Sequence, residues 1–174
     1  MKAVMMQSGK LWVDDIALPE PQDGEVLVRT CACGICGTDL HAVKHTSALI
    51  ETSRAVGGGF KLTTENPVVL GHEFCAEIVD FGPRTRRKLP VGQLVCSVPV
   101  LLRAETVGLG YSDQAPGGFG EYMVLSEAML NPVPSGVSAD QAALTEPLAV
   151  GRHAVAKADL QGSEEILVDG CGPV

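Results

Sequence analysis

The sequence predicts a mainly β fold: a compact barrel of short strands with a few short helices, followed by the first strand of an α/β unit. Three observations support this prediction. Short strand-like runs alternate with turns from the N-terminus to Pro134, a helix-capping pattern comes next, and a later strand-like run leads into Gly-x-Gly. The 20 Gly and 11 Pro among 174 residues also favour turns over long helices.

The predicted strands follow one another in chain order. Residues 2–6 and 10–13 are expected to form a hairpin around Ser8-Gly9. Residues 25–31 alternate two sets of side chains, which predicts a half-buried strand. The two sets are Val26, Val28, Thr30 and Leu27, Arg29, Cys31. Further strands are expected at 76–81, 93–98 and 121–125.

Helices are expected after Pro134. Ser138 followed three residues later by Gln141 is a capping box, in which each side chain bonds the other residue's backbone amide. Pro147 is expected to end or kink this first helix, and a second helix is expected over 148–158.

The last residues predict the beginning of a second domain. A strand at 165–169 leads into Gly170-Cys171-Gly172, the opening of a dinucleotide-binding βαβ unit. Gly-x-Gly alone is a weak signal, and the sequence ends at Val174 before a third glycine and helix. We therefore expect a catalytic domain over 1–155 and a linker with a truncated dinucleotide-binding domain over 156–174.

Composition excludes several classes of function. A net charge of −8 argues against nucleic-acid binding, and the one basic cluster is short. Its members are Arg84, Arg86, Arg87 and Lys88. No apolar run approaches the ~20 residues of a membrane-spanning helix, and the N-terminus does not resemble a signal peptide. Six Cys without secretory features indicate reduced thiols, and we expect a cytoplasmic protein without membrane partners.

Four residues predict a metal centre. Cys36 lies in Cys-Gly-Ile-Cys-Gly-Thr-Asp-Leu-His, His72 and Glu73 in Gly-His-Glu-Phe, and Glu146 in Thr-Glu-Pro-Leu. One thiolate, one imidazole and one or two carboxylates are typical of a catalytic zinc with an open position. If the backbone is extended there, neighbouring side chains point to opposite faces and only one of the two can face the metal, so His72 is favoured over Glu73. Glu146 is the preferred third ligand, although the reverse order stays open.

Together these motifs resemble the zinc-dependent medium-chain dehydrogenases, which include alcohol, polyol and sugar dehydrogenases. Five motifs occur in the family's order, from Glu25-Val26-Leu27-Val28 through Gly117-Gly118-Phe119-Gly120-Glu121-Tyr122 to Gly172. The resemblance implies a GroES-like β-barrel catalytic domain joined to a Rossmann domain. It also implies a small alcohol, polyol or sugar substrate, NAD or NADP as coenzyme, and a homo-oligomer in the full-length protein.

The resemblance implies a role for each site residue. Cys36 and His72 match the zinc ligands, Glu73 a carboxylate that binds zinc or stands behind it, and Glu146 the third protein ligand. Thr38 and His41 match the relay that carries the alcohol proton outward, and Asp39 the carboxylate that orients His72. Asp39 could also be only a helix N-cap. Four residues of the glycine turn are implied to bind the coenzyme: Gly170, Gly172, Pro173 and Val174.

Three features depart from the family's pattern. Residues 101–116 lack the closely spaced cysteines of a structural zinc lobe, so we expect one catalytic zinc and no structural zinc. Residues 46–59 lengthen the connection from His41 to His72 and are interpreted as an insertion beside the substrate mouth. Asp169 is polar where the family's strand is apolar.

Alternative interpretations remain for the cysteines and for the function. Cys33 and Cys36 could form a redox pair or half of a zinc knuckle, although Cys33 fits better as a packed residue. Cys31, Cys75 and Cys96 are expected in the core. The leading hypothesis is a zinc-dependent oxidoreductase. The alternatives are a zinc-binding domain without turnover, because its coenzyme domain is missing, and a quinone-reductase-like relative without metal. On the leading hypothesis too, the 174 residues alone are expected to be inactive.

Overall fold

A computed structural model of the protein describes residues 1–58 and 61–170. The strands described are β1 (Lys2–Gln7), β2 (Lys10–Asp15), β3 (Glu25–Cys33), β4 (Val68–Val69), β5 (Phe74–Phe81), β6 (Leu94–Ser97), β7 (Val100–Leu101), β8 (Val107–Gly108), β9 (Tyr122–Ser126) and β10 (Leu130–Pro132). The helices described are α1 (Gly37–Lys44), α2 (Thr46–Ala55), α3 (Ala139–Ala143) and α4 (Thr145–Lys157), with a 3₁₀ turn at Glu127–Met129. The mainly β prediction is confirmed, with few helices.

The first two strands form the predicted hairpin. Gln7 pairs with Lys10, and the two residues between them have positive φ angles of 48° and 82°. This backbone suits a two-residue turn, and a glycine at the second position adopts it without strain. In this three-stranded sheet the order is β2-β1-β4, so β2 lies at its edge, with all six residues exposed.

The main sheet has five antiparallel strands in the order β10-β6-β5-β3-β9. Its side chains form the largest apolar cluster, which includes Val28, Ile78 and Met123, all fully buried. The predicted alternation in β3 is wrong at its start, because Glu25 to Val28 are all buried. A register shift against β5 between Leu27 and Val28 breaks the period of two.

A buried ion pair lies at the start of β3, at one end of this sheet. Glu25 is only 2% exposed, and its two carboxylate oxygens accept hydrogen bonds from Arg103 at 2.7 and 3.1 Å. The Gln22 amide donates a third hydrogen bond at 3.0 Å. The charge of Glu25 is therefore compensated inside the core, which a buried carboxylate requires.

Helices α1 and α2 cover one face of the three-stranded sheet. A second apolar cluster joins them to the strands through Ala42, Ile50, Met6 and Val68. The segment interpreted as an insertion thus contains a ten-residue helix that contributes Ile50 to the core. Its last residue, Gly59, lies outside the described residues.

The predicted capping box at the start of α3 is confirmed. The Ser138 amide donates to Gln141 Oε1 at 3.0 Å, and the Gln141 amide donates to Ser138 Oγ at 3.3 Å. The role predicted for Pro147 is wrong. Helix α3 ends at Ala143, and Pro147 lies in the first turn of α4, where a missing amide hydrogen costs nothing.

Two expectations about the architecture are not confirmed. The described strands form separate sheets of five, three and two strands, so a closed barrel is not established. Residues 164–170 form no strand, and they are exposed. Because a strand needs a neighbour to accept its hydrogen bonds, an isolated run at 165–169 has nothing in the described chain to stabilise it. No helix within 1–58 or 61–170 is long and apolar enough to span a bilayer.

Candidate metal centre

Cys36 lies at the N-terminus of α1. Its extended backbone (φ −75°, ψ 154°) makes it the N-cap residue, so its thiol faces the positive end of the helix dipole. The Cys36 amide donates to Asp39 Oδ2 at 3.0 Å, and its thiol donates to Thr38 Oγ1 at 3.7 Å. Asp39 is thus the third residue of the helix, and the alternative that it is the N-cap is wrong.

His72 and Glu73 lie on an irregular segment that leads into β5. Gly71 has a φ of +97°, and a side chain there would collide with the Phe119 backbone at 2.8 Å. The Glu73 carbonyl accepts a hydrogen bond from the Gly34 amide at 2.7 Å. This bond holds the segment against the chain just before Cys36.

The structure brings three predicted ligands together. One ligand atom each from Cys36, His72 and Glu73 lies within 4.8 Å of the others. Ligands around a tetrahedral zinc would be about 3.3–3.6 Å apart, so a small contraction would close the set around one ion. His72 and Glu73 are both 7% exposed. This donor set of sulfur, nitrogen and oxygen fits zinc.

The condition that ranked Glu146 above Glu73, an extended backbone at these residues, is not met. Residue 73 sits at a bend, so the side chains of His72 and Glu73 are not forced to opposite faces. Glu146 lies outside the group of three, although it lines the same cavity. Within the described residues neither Glu73 nor Glu146 forms an ion pair with Lys or Arg. Glu73 is buried and Glu146 half-buried, and carboxylates shielded from water without a cationic partner favour a bound cation.

A tyrosine that the sequence did not identify orients the histidine. Tyr111 Oη lies 3.0 Å from His72 Nδ1 and donates to Asp39 Oδ1 at 3.3 Å, while His72 Nδ1 lies 3.5 Å from Asp39 Oδ1. If Nδ1 carries the ring proton, it donates to Tyr111 and leaves the lone pair of Nε2 for a metal. No motif around Tyr111 indicates this role, which depends on tertiary contacts.

The pKa directions in the site follow from burial and negative charge. Burial lowers the pKa of His72, but the hydrogen bond and charge of Asp39 raise it, as do the charges of Glu146 and Glu73, and the net shift is upward. Burial and the charge of Asp39 raise the pKa of Tyr111, so its hydroxyl stays protonated. Burial also raises the pKa of Glu146.

The three residues open onto a cavity of about 810 Å³. This volume suits a small molecule. Thr38, His41 and Glu146 also line it, and its apolar walls include Val100, Leu109 and Val150. His41 is exposed and lies one turn after Thr38 on α1, so both side chains share a helix face.

The other cysteines within 1–58 and 61–170 have different surroundings. Cys33 packs against the main core, and burial raises the pKa of its thiol to about 12, which does not favour a redox pair with Cys36. Cys75 and Cys96 are buried as expected. Cys31 is exposed, so its predicted core position is wrong.

The predicted coenzyme residues lie at the end of the chain. Gly170 is exposed and has a φ of +94°. Gly172, Pro173 and Val174 lie outside the described residues.

Comparison with known proteins gives related enzymes. The sequence matches the family described as the alcohol dehydrogenase GroES-like domain over residues 22–135. It is 32% identical over 185 residues to (R,R)-butanediol dehydrogenase of Bacillus subtilis (strain 168), covering 100% of this chain and 52% of that protein. It is 31% identical over 189 residues to L-threonine 3-dehydrogenase of Rhizobium etli (strain CIAT 652), covering 100% and 51%.

Solved structures agree with these matches. The structure of acetophenone reductase from Geotrichum candidum NBRC 4597 in complex with NAD is similar, with a TM-score of 0.74 and 27% sequence identity. The match covers 93% of this chain and 48% of that one. The chain therefore spans about half the length of the curated relatives it matches.

Proposed function

Because the chain belongs to the zinc-type medium-chain alcohol and polyol dehydrogenase family, we propose that the protein is an oxidoreductase that transfers a hydride from a secondary alcohol, polyol or sugar to NAD or NADP. The observation that carries this proposal is the convergence of Cys36, His72 and Glu73 in the wall of a cavity of about 810 Å³. The names of the relatives, a butanediol and a threonine dehydrogenase, favour a small hydroxyl compound as substrate.

Cys36, His72 and Glu73 would hold one zinc ion, with Glu146 as an additional or exchanging ligand from the same cavity. Zinc bound there would supply a Lewis acid that lowers the pKa of a substrate hydroxyl by several units. Tyr111 and Asp39 would keep the His72 ring fixed, with Nε2 toward the cavity. No second zinc is proposed, since residues 101–116 contain no Cys.

Thr38 and His41 would carry the alcohol proton out of the site. Thr38 Oγ1 lies next to the Cys36 thiol and lines the cavity, so it would accept the proton from the substrate hydroxyl. His41 lies one turn further along α1 and is exposed, so it would release that proton to water. The apolar cavity wall would exclude water from the carbon that loses hydride.

The coenzyme would bind beyond the described catalytic residues. We propose the zinc-binding catalytic domain over 1–155, and over 156–174 a linker followed by the beginning of the dinucleotide-binding domain. Gly170, Gly172, Pro173 and Val174 would contact the coenzyme. The positive φ of Gly170 supports a tight turn there. The alternative of a zinc-binding domain without turnover is not better supported, and NAD(P)H binding to the purified protein would distinguish the two.

Replacing Cys36 with Ser tests the metal centre. A hydroxyl is a far poorer zinc ligand than a thiolate, while Ser is a preferred N-cap residue, so the helix should persist. We expect zinc content to fall from about one per chain to near zero. The matched control is Cys31→Ser on the exposed face of β3. Full zinc content in Cys36→Ser would show that Cys36 is not a zinc ligand.

A further inference from the structure

The outer edge of β2 is open to pairing with another strand. Within the described residues β2 pairs only with β1, and every residue of β2 is exposed. Its centre is a run of large apolar residues, with exposed fractions of 55% for Leu11, 36% for Trp12 and 65% for Val13. Edge strands of monomers are usually protected by central charges, prolines or bulges. Here the charged residues stand only at the two ends.

The hydrogen-bond direction along β2 fixes which residues can bond outward. The Ile16 amide donates to the Met1 carbonyl at 2.9 Å, so residue 16 faces β1. Backbone groups alternate in direction along an antiparallel strand, and Lys10, Trp12 and Asp14 therefore face β1 as well. The amides and carbonyls of Leu11 and Val13 point away from the sheet.

We propose that β2 pairs antiparallel with β2 of a second copy of this chain, about a two-fold axis at Trp12. A two-fold axis perpendicular to the sheet leaves each residue on the same face in both copies. Residues directly opposite each other share a face, and faces alternate along a strand, so an even-numbered residue must lie opposite an even-numbered one and an odd-numbered residue opposite an odd-numbered one. With Trp12 opposite its own copy, Leu11 faces Val13 and Lys10 faces Asp14. The outward-pointing backbone groups of Leu11 and Val13 then form four intermolecular hydrogen bonds.

Charge and shape in this register are self-complementary. Lys10 and Asp14 carry opposite charges and would form two ion pairs at the ends of the six-residue strand. Leu11 and Val13 would cover each other on one face of the joined sheet, and the two Trp12 rings would meet on the other. Trp12 is already oriented, because its Nε1 donates to Asp14 Oδ2 at 3.3 Å. These features favour a second copy over an unrelated partner.

Charge reversal with rescue tests this register. Sedimentation equilibrium of the purified protein should show a dimer whose Kd rises about tenfold in Lys10→Asp, where two like-charged pairs replace two attractive ones. The double variant Lys10→Asp with Asp14→Lys should restore the parent Kd. The control Lys88→Asp changes the same charge in an exposed loop and should leave the Kd unchanged.

A second measurement uses the single tryptophan of the chain. Emission from Trp12 should shift to shorter wavelength as the concentration rises through the Kd, and Leu11→Lys should abolish that shift without unfolding this exposed position. A protein that stays monomeric overturns the proposal. So does a dimer with the same Kd in Lys10→Asp and Leu11→Lys as in the parent, since its interface then lies elsewhere.

Discussion

Replacing Tyr111 with Phe removes the oxygen atom that contacts both His72 and Asp39 at the proposed metal centre. That oxygen lies 3.0 Å from His72 Nδ1 and 3.3 Å from Asp39 Oδ1. Without it, the orientation of the imidazole depends on Asp39 alone. The ring itself stays, so the packing of Tyr111 in the apolar cluster with Leu70 is preserved.

The size of the effect follows from the distances. Losing the partner of a metal-binding histidine typically costs about 10–100-fold in metal affinity, or roughly 1.4–2.7 kcal/mol. Asp39 Oδ1 is 3.5 Å from His72 Nδ1 and needs to move only about half an ångström to bond it directly. We therefore expect the lower end of that range in Tyr111→Phe, about tenfold.

The assay is competition for zinc with a chromogenic chelator. Tyr122→Phe is the matched control, since Tyr122 is the second tyrosine of the chain and lies on β9 outside the site. Asp39→Asn should weaken zinc binding more than Tyr111→Phe, because it also weakens the hydrogen bond to the Cys36 amide. Equal zinc affinity in Tyr111→Phe and the parent would refute the orienting role.

Three further predictions concern the fold and its thiols. Arg103→Ala should destabilise the protein by about 3 kcal/mol in urea unfolding, because it leaves the buried Glu25 carboxylate unpaired; a loss below ~1 kcal/mol would contradict this. Ser138→Ala should cost about 1 kcal/mol of unfolding free energy by removing the α3 cap, and an unchanged Tm would argue against it. Burial raises the pKa of Cys33 to about 12, so at lower pH its thiolate fraction should grow roughly tenfold per pH unit. Its alkylation rate, followed by mass spectrometry, should grow in the same proportion. Equal alkylation of Cys33 and the exposed Cys31 at pH 8 would contradict it.

Local signals in the sequence predicted much of this structure. The Ser8-Gly9 turn and the Ser138 capping box depend on residues a few positions apart, and both were predicted correctly. The ligand candidates Cys36 and His72 were predictable because their residue types restrict the chemistry. What failed was the backbone at Glu73, where a bend replaces the extended conformation that the ranking of Glu146 assumed.

Features that depend on distant contacts could not be predicted. Tyr111 reaches His72 and Asp39 across 39 and 72 positions of the chain, and no periodicity indicates such a contact. The register shift in β3 arises from pairing with β5, so the alternation of β3 gave no sign of it. The strand expected at 165–169 has the right composition but no neighbouring strand within the described residues.

Zinc bound at the proposed site would couple metal binding to the stability of the chain through Cys36 and His72. All of α1 and α2 lies between these two residues, so an ion bound to both would close a long loop and reduce the entropy of the unfolded chain. Chelation should then lower the melting temperature and expose α2 to proteolysis before the five-stranded sheet. The protease sensitivity of α2 would then report whether the zinc site is filled.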